Sequence, residues 1–252
     1  MGASRERSVT IVGAGPVGLA AASLLAGAGR NCGLTIRVLE SRTAPKWEES
    51  KTDLRVYALS RASQRILDHV HVWDDIAGAR VGPYRAMRVW QGDDAYGLGS
   101  IGFDCAELGE PDLGHIVEDS LIRDRLFSSL EHASNVEFRV GVEVVALRNG
   151  PRDIEIETQT GEQLRSTVLI AADGGASLVR KLLDLPVTVA DYDQEAIVTH
   201  VESSGPHRET AWQRFLPGGP LAFLPLLDGR SSVVWSLPLS DARRLNEVSE
   251  SE

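Results

Sequence analysis

Three glycines carry the clearest chemistry in this chain. Gly13, Gly15 and Gly18 stand in a G-x-G-x-x-G spacing, directly after the short apolar run Val9–Val12 and ahead of a small-residue, leucine-bearing segment that reaches Gly29. A strand, a tight turn and a helix in this order bind the pyrophosphate of a dinucleotide. Gly13 permits the turn, and Gly15 lets the backbone approach the phosphates. Gly18, with Ala22 one turn on, lets the helix lie close to the strand. The helix N-terminus offers free N–H groups and partial positive charge to the anion. Glu40 closes a second apolar run, Thr35–Leu39, 22 positions after Gly18. A carboxylate at that place accepts hydrogen bonds from a ribose.

Two more places bear on a ligand. Val168–Ala171 is a buried-type run followed by Ala172-Asp173-Gly174-Gly175-Ala176-Ser177 and a helix start with Val179, Leu182 and Leu183. Open α/β sheets meet their ligands at such strand ends, although an Asp-Gly pair also serves as a plain turn. Arg55 follows the second strand after a polar loop, Ser41–Lys51, that contains Pro45. Its guanidinium suits a cofactor phosphate or carbonyl, or an anionic substrate. A solvated surface arginine fits the residues alone equally well.

No second chemistry assembles elsewhere. There is no nucleophile–His–Asp set, and Cys32 and Cys105 fit no metal motif. His69 and His71 lie among Asp68, Asp74 and Asp75 and read as a solvated pair, while His115 and His200 read as packing or hydrogen-bonding residues. The charges along Glu118–Arg125 read as a solvated helix face. No general base can be named; Tyr192, His200 and Gln213 are the polar candidates, each reading as structural.

The elements that must position these groups follow from pattern. Ser60 reads as the N-cap of a helix with Ile66, Leu67 and Val70 on one face. Arg85–Trp90 alternates, Gln91-Gly92-Asp93-Asp94 turns, and Ser100–Phe103 returns, a β excursion. Leu113–Val117 leads into a helix capped by Asp119 or Ser120, with Leu121, Ile122, Leu126 and Leu130 as its apolar face. Strands resume from Val136 through Thr158. The final third is β again, at Ala196–Val201, Trp212–Phe215, Leu221–Leu226 and Ser232–Leu237, with Pro217-Gly218-Gly219-Pro220 tightening one join. Ser240–Glu252 starts like a helix and stops.

The 252 residues are 42% hydrophobic and 25% charged, enough material for one large domain or two intertwined ones. A formal net charge of -10 argues against a nucleic-acid binder. Two cysteines are too few for a disulfide framework, so a reduced, cytoplasmic setting is the default. The charged start, MGASRERS, lacks the apolar stretch of a signal peptide. No apolar run approaches the roughly 18 residues that span a membrane, and attachment to a membrane surface stays open.

Taken together, these stretches resemble the flavin-dependent aromatic hydroxylases of the para-hydroxybenzoate hydroxylase type. They are most similar to the branch that hydroxylates the ring of ubiquinone precursors. The general match rests on GAGPVG at Gly13–Gly18 with Glu40, DLRVYALS at Asp53–Ser60 and AADGGASLVR at Ala171–Arg180. The branch rests on LGHIVED at Leu113–Asp119, DYDQEAIVTHV at Asp191–Val201, AWQRFLPGGPLAFLPL at Ala211–Leu226 and SSVVWSLP at Ser231–Pro238.

The resemblance implies an α/β fold in which a Rossmann-like FAD-binding domain is interleaved with a β-sheet substrate domain. Residues 1–81 and 113–184 would form the FAD-binding part, 82–112 a β excursion of the substrate domain, and 185–252 its remaining sheet. FAD would be held by Gly13, Gly15, Gly18, Glu40, Arg55, Asp173 and Gly174. Leu221, Phe223 and Pro225 would line the site of a lipophilic phenol. The implied reaction is a monooxygenation with NAD(P)H as transient reductant and O2, through a flavin hydroperoxide. No metal is implied. A peripheral place at the inner membrane or in a biosynthetic complex stays open, as does the oligomeric state. The family's third motif, Gly-Asp followed by a proline- and glycine-rich run, does not occur before Glu252, so the chain is expected to be truncated at its C-terminus. Two other readings remain at this stage: a different FAD- or NAD-dependent oxidoreductase, and a non-catalytic binding or assembly module.

Overall fold

The computed structural model describes residues 7–30, 32–44 and 46–248. Most of the charged start (residues 1–6), Pro45 of the polar loop and the last four residues lie outside that range.

In chain order the elements are β1 (Arg7–Val12), α1 (Pro16–Gly29), β2 (Leu34–Glu40), β3 (Val56–Ser60), α2 (Arg61–His69), α3 (Trp73–Ala79), β4 (Gly82–Tyr84), β5 (Ala86–Gln91) and β6 (Ser100–Asp104). A single 3-10 turn, Cys105–Leu108, leads to β7 (Gly114–Glu118), α4 (Asp119–Glu131), β8 (Val136–Val140), β9 (Val144–Asn149), β10 (Ile154–Thr158), β11 (Gln163–Ser166), β12 (Val168–Ala171) and α5 (Leu178–Leu182). The chain continues through β13 (Gln194–Val201), β14 (Thr210–Leu216), β15 (Gly219–Pro225), β16 (Ser231–Pro238) and α6 (Leu239–Glu247). They fall into two compact units, each assembled from three separate stretches of chain.

The first unit comprises Met1–Glu48, Ile66–Ile76 and Ser120–Thr188. Its centre is a four-stranded sheet in the order β12-β1-β2-β8. Every pairing in it is parallel. A parallel sheet covered on both faces needs near-continuous apolar strands. Ile11, Ile36, Val38 and Leu39 accordingly have no exposed surface. Leu19 and Ala22 are fully buried on α1, and Leu121, Ile122, Leu126 and Leu130 form the buried stripe of α4. A separate antiparallel sheet, β11-β10-β9, packs Val144, Ile156 and Leu164 against Leu39, with Val12, Leu169 and Leu182 around them.

The second unit comprises Glu49–Arg65, Ala77–Asp119 and Val189–Glu252. It holds a six-stranded sheet, β13-β16-β15-β14-β5-β6, and a small antiparallel one, β3-β7-β4. The large sheet is antiparallel except where β14 runs parallel to β5. Ser60 caps the start of α2, its hydroxyl accepting the Ser63 N–H at 3.3 Å. The Pro217–Pro220 stretch is tighter than a loop. Only Pro217 and Gly218 lie between β14 and β15, and Gly219 and Pro220 already pair with Leu216 and Phe215.

Candidate functional site

In the first unit, β1 lies between β2 and β12, so their C-terminal ends stand side by side. The backbone locks them together. Gly13 N–H donates to the Leu39 carbonyl and Ala172 N–H to the Val12 carbonyl, both at 2.8 Å. Gly13 has φ +103°, and a Cβ there would run into the Ala172 carbonyl. A Cβ on Gly18 would overlap the Gly13 carbonyl oxygen and come within 3.2 Å of the Ala172 Cβ. These two glycines are required by the protein's own packing. Gly15 is different: a Cβ there would meet nothing within 4 Å. It is the N-cap of α1, no side chain caps the helix, Pro16 occupies the first turn, and that turn carries no acidic residue. The start of α1 therefore presents uncapped N–H groups beside open space, which is what a bound anion needs.

Charge is arranged around this loop. Glu40 is buried at the end of β2. Its Oε2 accepts the Ala14 N–H at 2.7 Å. Its Oε1 accepts the Arg42 N–H at 2.9 Å and the Ser41 hydroxyl at 3.5 Å. A carboxylate has about four acceptor positions, so capacity for a ribose hydroxyl remains. Arg123 on α4 donates from Nε to the Ala14 carbonyl at 3.3 Å, bringing a cation to the same residue.

At the end of β12, Asp173 Oδ2 accepts the N–H groups of Leu178 at 2.6 Å and Val179 at 3.0 Å. Its Oδ1 is buried without a partner. Burial alone pushes this carboxyl up. The polar donors around it, the Ser177 hydroxyl and the nearby backbone N–H groups, more than offset that and hold it below the usual carboxylate range. Gly174 follows at φ +86° with open space where a side chain would stand.

The second unit carries Arg55, exposed, with its guanidinium carbon 5.3 Å from the Tyr57 ring centroid. Tyr57 donates its hydroxyl to Asp119 Oδ1 at 3.0 Å. Burial, then that hydrogen bond, pushes the phenol up. Leu221, Phe223 and Pro225 alternate along β15 and so share one face of the six-stranded sheet. By register Phe223 stands opposite Trp212 and Val233, and Leu221 opposite Arg214 and Trp235. Trp90 and Tyr96 meet Trp212 edge-on, at 6.1 and 6.3 Å between centroids. This face therefore carries an aromatic cluster, with Arg88 and Arg214 on the same face.

Tyr192 is 86% exposed, and Gln213 is half-buried on β14. His200 is half-buried, and its Nε2 has no partner. Burial and then Arg230 hold its imidazole below the ordinary value, against the pull of Asp228, Glu118 and Asp53. His69 and His71 are both exposed. The expected solvated face at Glu118–Arg125 is corrected by the structure. Glu118 is 3% exposed, Arg123 reaches Ala14, and Asp124 Oδ1 accepts the Trp47 N–H at 3.2 Å. Arg125 lies over the Trp47 ring, 5.4 Å from its centroid. The pattern of charges gave no sign of this, because each partner lies far away in sequence.

The family model described as an FAD binding domain matches residues 6–252. The chain belongs to this FAD-binding family. It is 35% identical to the 3-demethoxyubiquinol 3-hydroxylase of Escherichia coli (strain K12), over 92% of this chain and 58% of that protein. It is 33% identical to the mitochondrial ubiquinone biosynthesis monooxygenase COQ6 of Danio rerio, over 96% of this chain and 52% of that protein. Thus the chain spans little more than half the length of these relatives. In fold it resembles PqsL of Pseudomonas aeruginosa, with a TM-score of 0.77 at 21% identity, covering 96% of this chain and 63% of that one. It also resembles p-nitrophenol 4-monooxygenase of Pseudomonas putida, with a TM-score of 0.72 at 20% identity, covering 94% and 61%.

FAD is the cofactor of this family, and the first unit fits it on three observations. A Cβ at Gly15 would occupy free space beside an uncapped helix start. The Glu40 carboxylate is buried next to that loop. Asp173 Oδ1 is buried and unpaired at the neighbouring strand end. Among the described residues, no helix is long and apolar enough to cross a membrane.

Proposed function

We propose that this chain is the FAD-holding portion of a monooxygenase that hydroxylates the aromatic ring of a prenylated phenol in ubiquinone biosynthesis. The observation that carries the cofactor reading is the row of three parallel strand ends beside which Gly15, at the uncapped start of α1, leaves its Cβ position empty. The substrate class is taken from the ubiquinone-pathway relatives, of which the Escherichia coli enzyme is 35% identical over most of this chain.

In this reading Gly13 and Gly18 shape the turn, and the phosphates lie over Gly15 at the start of α1. Glu40 accepts from the adenosine ribose. Asp173, through its unpaired Oδ1, accepts a hydroxyl of the cofactor, and Gly174 leaves room for it. Arg55 contacts the flavin. When bound, FAD supplies oxygen activation after reduction by NAD(P)H. The residues of this chain bind it, orient it and exclude water. Leu221, Phe223 and Pro225, on the face shared with Trp212 and Trp235, form the apolar part of a wall for a lipophilic ring. Such a substrate resides in lipid, so the reading includes peripheral association with a membrane.

The test is the flavin absorbance retained by the purified chain after excess FAD is removed, in the parent and in Gly15→Ala. Gly15 has φ -72° and free space around its Cβ position, so the variant is expected to fold and melt like the parent. Its FAD affinity is expected to fall about tenfold or more, because a methyl stands where the phosphates approach the backbone. Equal flavin retention by both proteins would remove the phosphates from Gly15.

A further inference from the structure

Residues 46–55 contain no strand or helix, so their backbone groups must find partners outside a ladder. Much of what they find comes from two buried or half-buried ions of the second unit. Glu118, the last residue of β7, is 3% exposed. Its Oε2 accepts the Asp53 N–H at 2.6 Å, and its Oε1 pairs with Arg80 Nε at 2.8 Å. Arg80 then spreads its guanidinium over the same stretch. It donates to the Glu49 carbonyl at 3.1 Å, the Lys51 carbonyl at 2.9 Å and the Thr52 hydroxyl at 3.3 Å. Arg230, at the turn between β15 and β16, donates to the same Thr52 hydroxyl at 3.0 Å. Immediately beyond Glu118, Asp119 N–H donates to the Arg55 carbonyl at 3.0 Å. Glu49, Lys51, Thr52, Asp53 and Arg55 are thus each tied down, and the strap they form ends on Arg55.

We propose that Glu118 and Arg80 are positioning residues that clamp the strap Glu49–Arg55 and thereby fix where Arg55 stands. The inference rests on the reading of Arg55 as a flavin contact. A fork of donors is needed because three acceptors on the strap point at one side chain. Arginine provides that geometry and lysine does not. The buried carboxylate orients the fork and holds Asp53 at the same time.

The experiment has two arms. Limited trypsin digestion of this chain, read by mass spectrometry at the bonds after Lys51 and Arg55, reports the strap without any cofactor. Arg80→Lys is expected to be cut there about tenfold faster than the parent, since local opening governs cleavage of a folded chain. Glu118→Gln keeps the shape and the acceptor for Asp53 but removes the charge paired with Arg80, and it is expected to do the same. It is the second variant should Arg80→Lys fold poorly. The other arm is FAD affinity in a double-mutant cycle. Arg80→Lys is expected to weaken FAD about fivefold in the parent and to have no further effect in an Arg55→Met background, because coupled residues are not additive. Unchanged cleavage in both clamp variants would overturn the clamp. An equal loss of affinity in both backgrounds would overturn its action through Arg55 and leave a general structural role. A parent chain that holds no FAD at all would count against the cofactor reading, and the digestion would then uphold or overturn the clamp alone.

Discussion

Replacing Gly18 by alanine is expected to cost this chain about 3 kcal/mol of stability, at the upper end for inserting one carbon into a packed site. The reason is backbone against backbone. The new Cβ would overlap the Gly13 carbonyl oxygen and press on the Ala172 Cβ at 3.2 Å. Neither neighbour is the free end of a flexible side chain, so α1 must lift from β1 or the Gly13 turn must open. Each movement also disturbs the start of α1, so flavin retention is expected to fall together with stability. Gly27, on the same helix, is the internal control. A Cβ there meets nothing within 4 Å, and alanine in a helix is favoured over glycine by about 0.5–1 kcal/mol. Urea unfolding of the parent, Gly18→Ala and Gly27→Ala is the measurement. A Gly18→Ala protein as stable as the parent would show that the helix and strand are not in contact there. The three glycines of the motif thereby separate: Gly18 fails by folding, Gly15 by binding alone, and Gly13 by both turn conformation and contact with Ala172.

The nucleotide-binding half of the fold was legible because its determinants are local. A strand, three glycines, a helix and a carboxylate occupy one stretch of 34 residues, Arg7–Glu40, and the apolar faces of α1 and α4 follow the helical period. The positions of Asp173 and Gly174 were legible as a strand end, but their place beside Gly13 depends on β12 pairing with β1, more than 150 residues away. What sequence could not show is how charges pair across the chain. Arg123 and Ala14 are 109 positions apart, and Glu118 meets Asp53 across 65. A run such as Glu118–Arg125 has the look of a solvated face because periodicity reports hydrophobic burial and is silent on buried ions. Glu40 shows a milder form of the same limit. Its position at the end of β2 was readable, whereas its hydrogen bond to the Ala14 N–H required the turn to be folded.

Asp173 offers a second large effect, and one that pH can isolate. Asp173→Asn is expected to destabilise the chain by about 2 kcal/mol at neutral pH, the range for hydrogen bonds to a charged group. Oδ2 accepts two backbone N–H groups, from Leu178 and Val179, and the hydrogen bonds around this carboxyl favour its ionised form and hold it below the ordinary value despite burial. The sign follows from linkage. A carboxyl whose folded value lies below its unfolded value, near 3.9, contributes stability that is fully present above the unfolded value and is lost as pH falls through the folded one. The gap between parent and variant should therefore be constant from neutral pH down to about pH 5 and close progressively below about pH 4. Urea melts across that range measure it, and a gap that stayed the same at pH 3 would show that the amide perturbs packing and not charge. Flavin binding gives the complementary reading. Oδ1 is buried without a hydrogen-bond partner in the protein, and in the asparagine an NH2 donor replaces one of the two acceptor oxygens. Asp173→Asn is then expected to lose FAD affinity beyond what its stability change explains, if the buried oxygen is an acceptor for the cofactor.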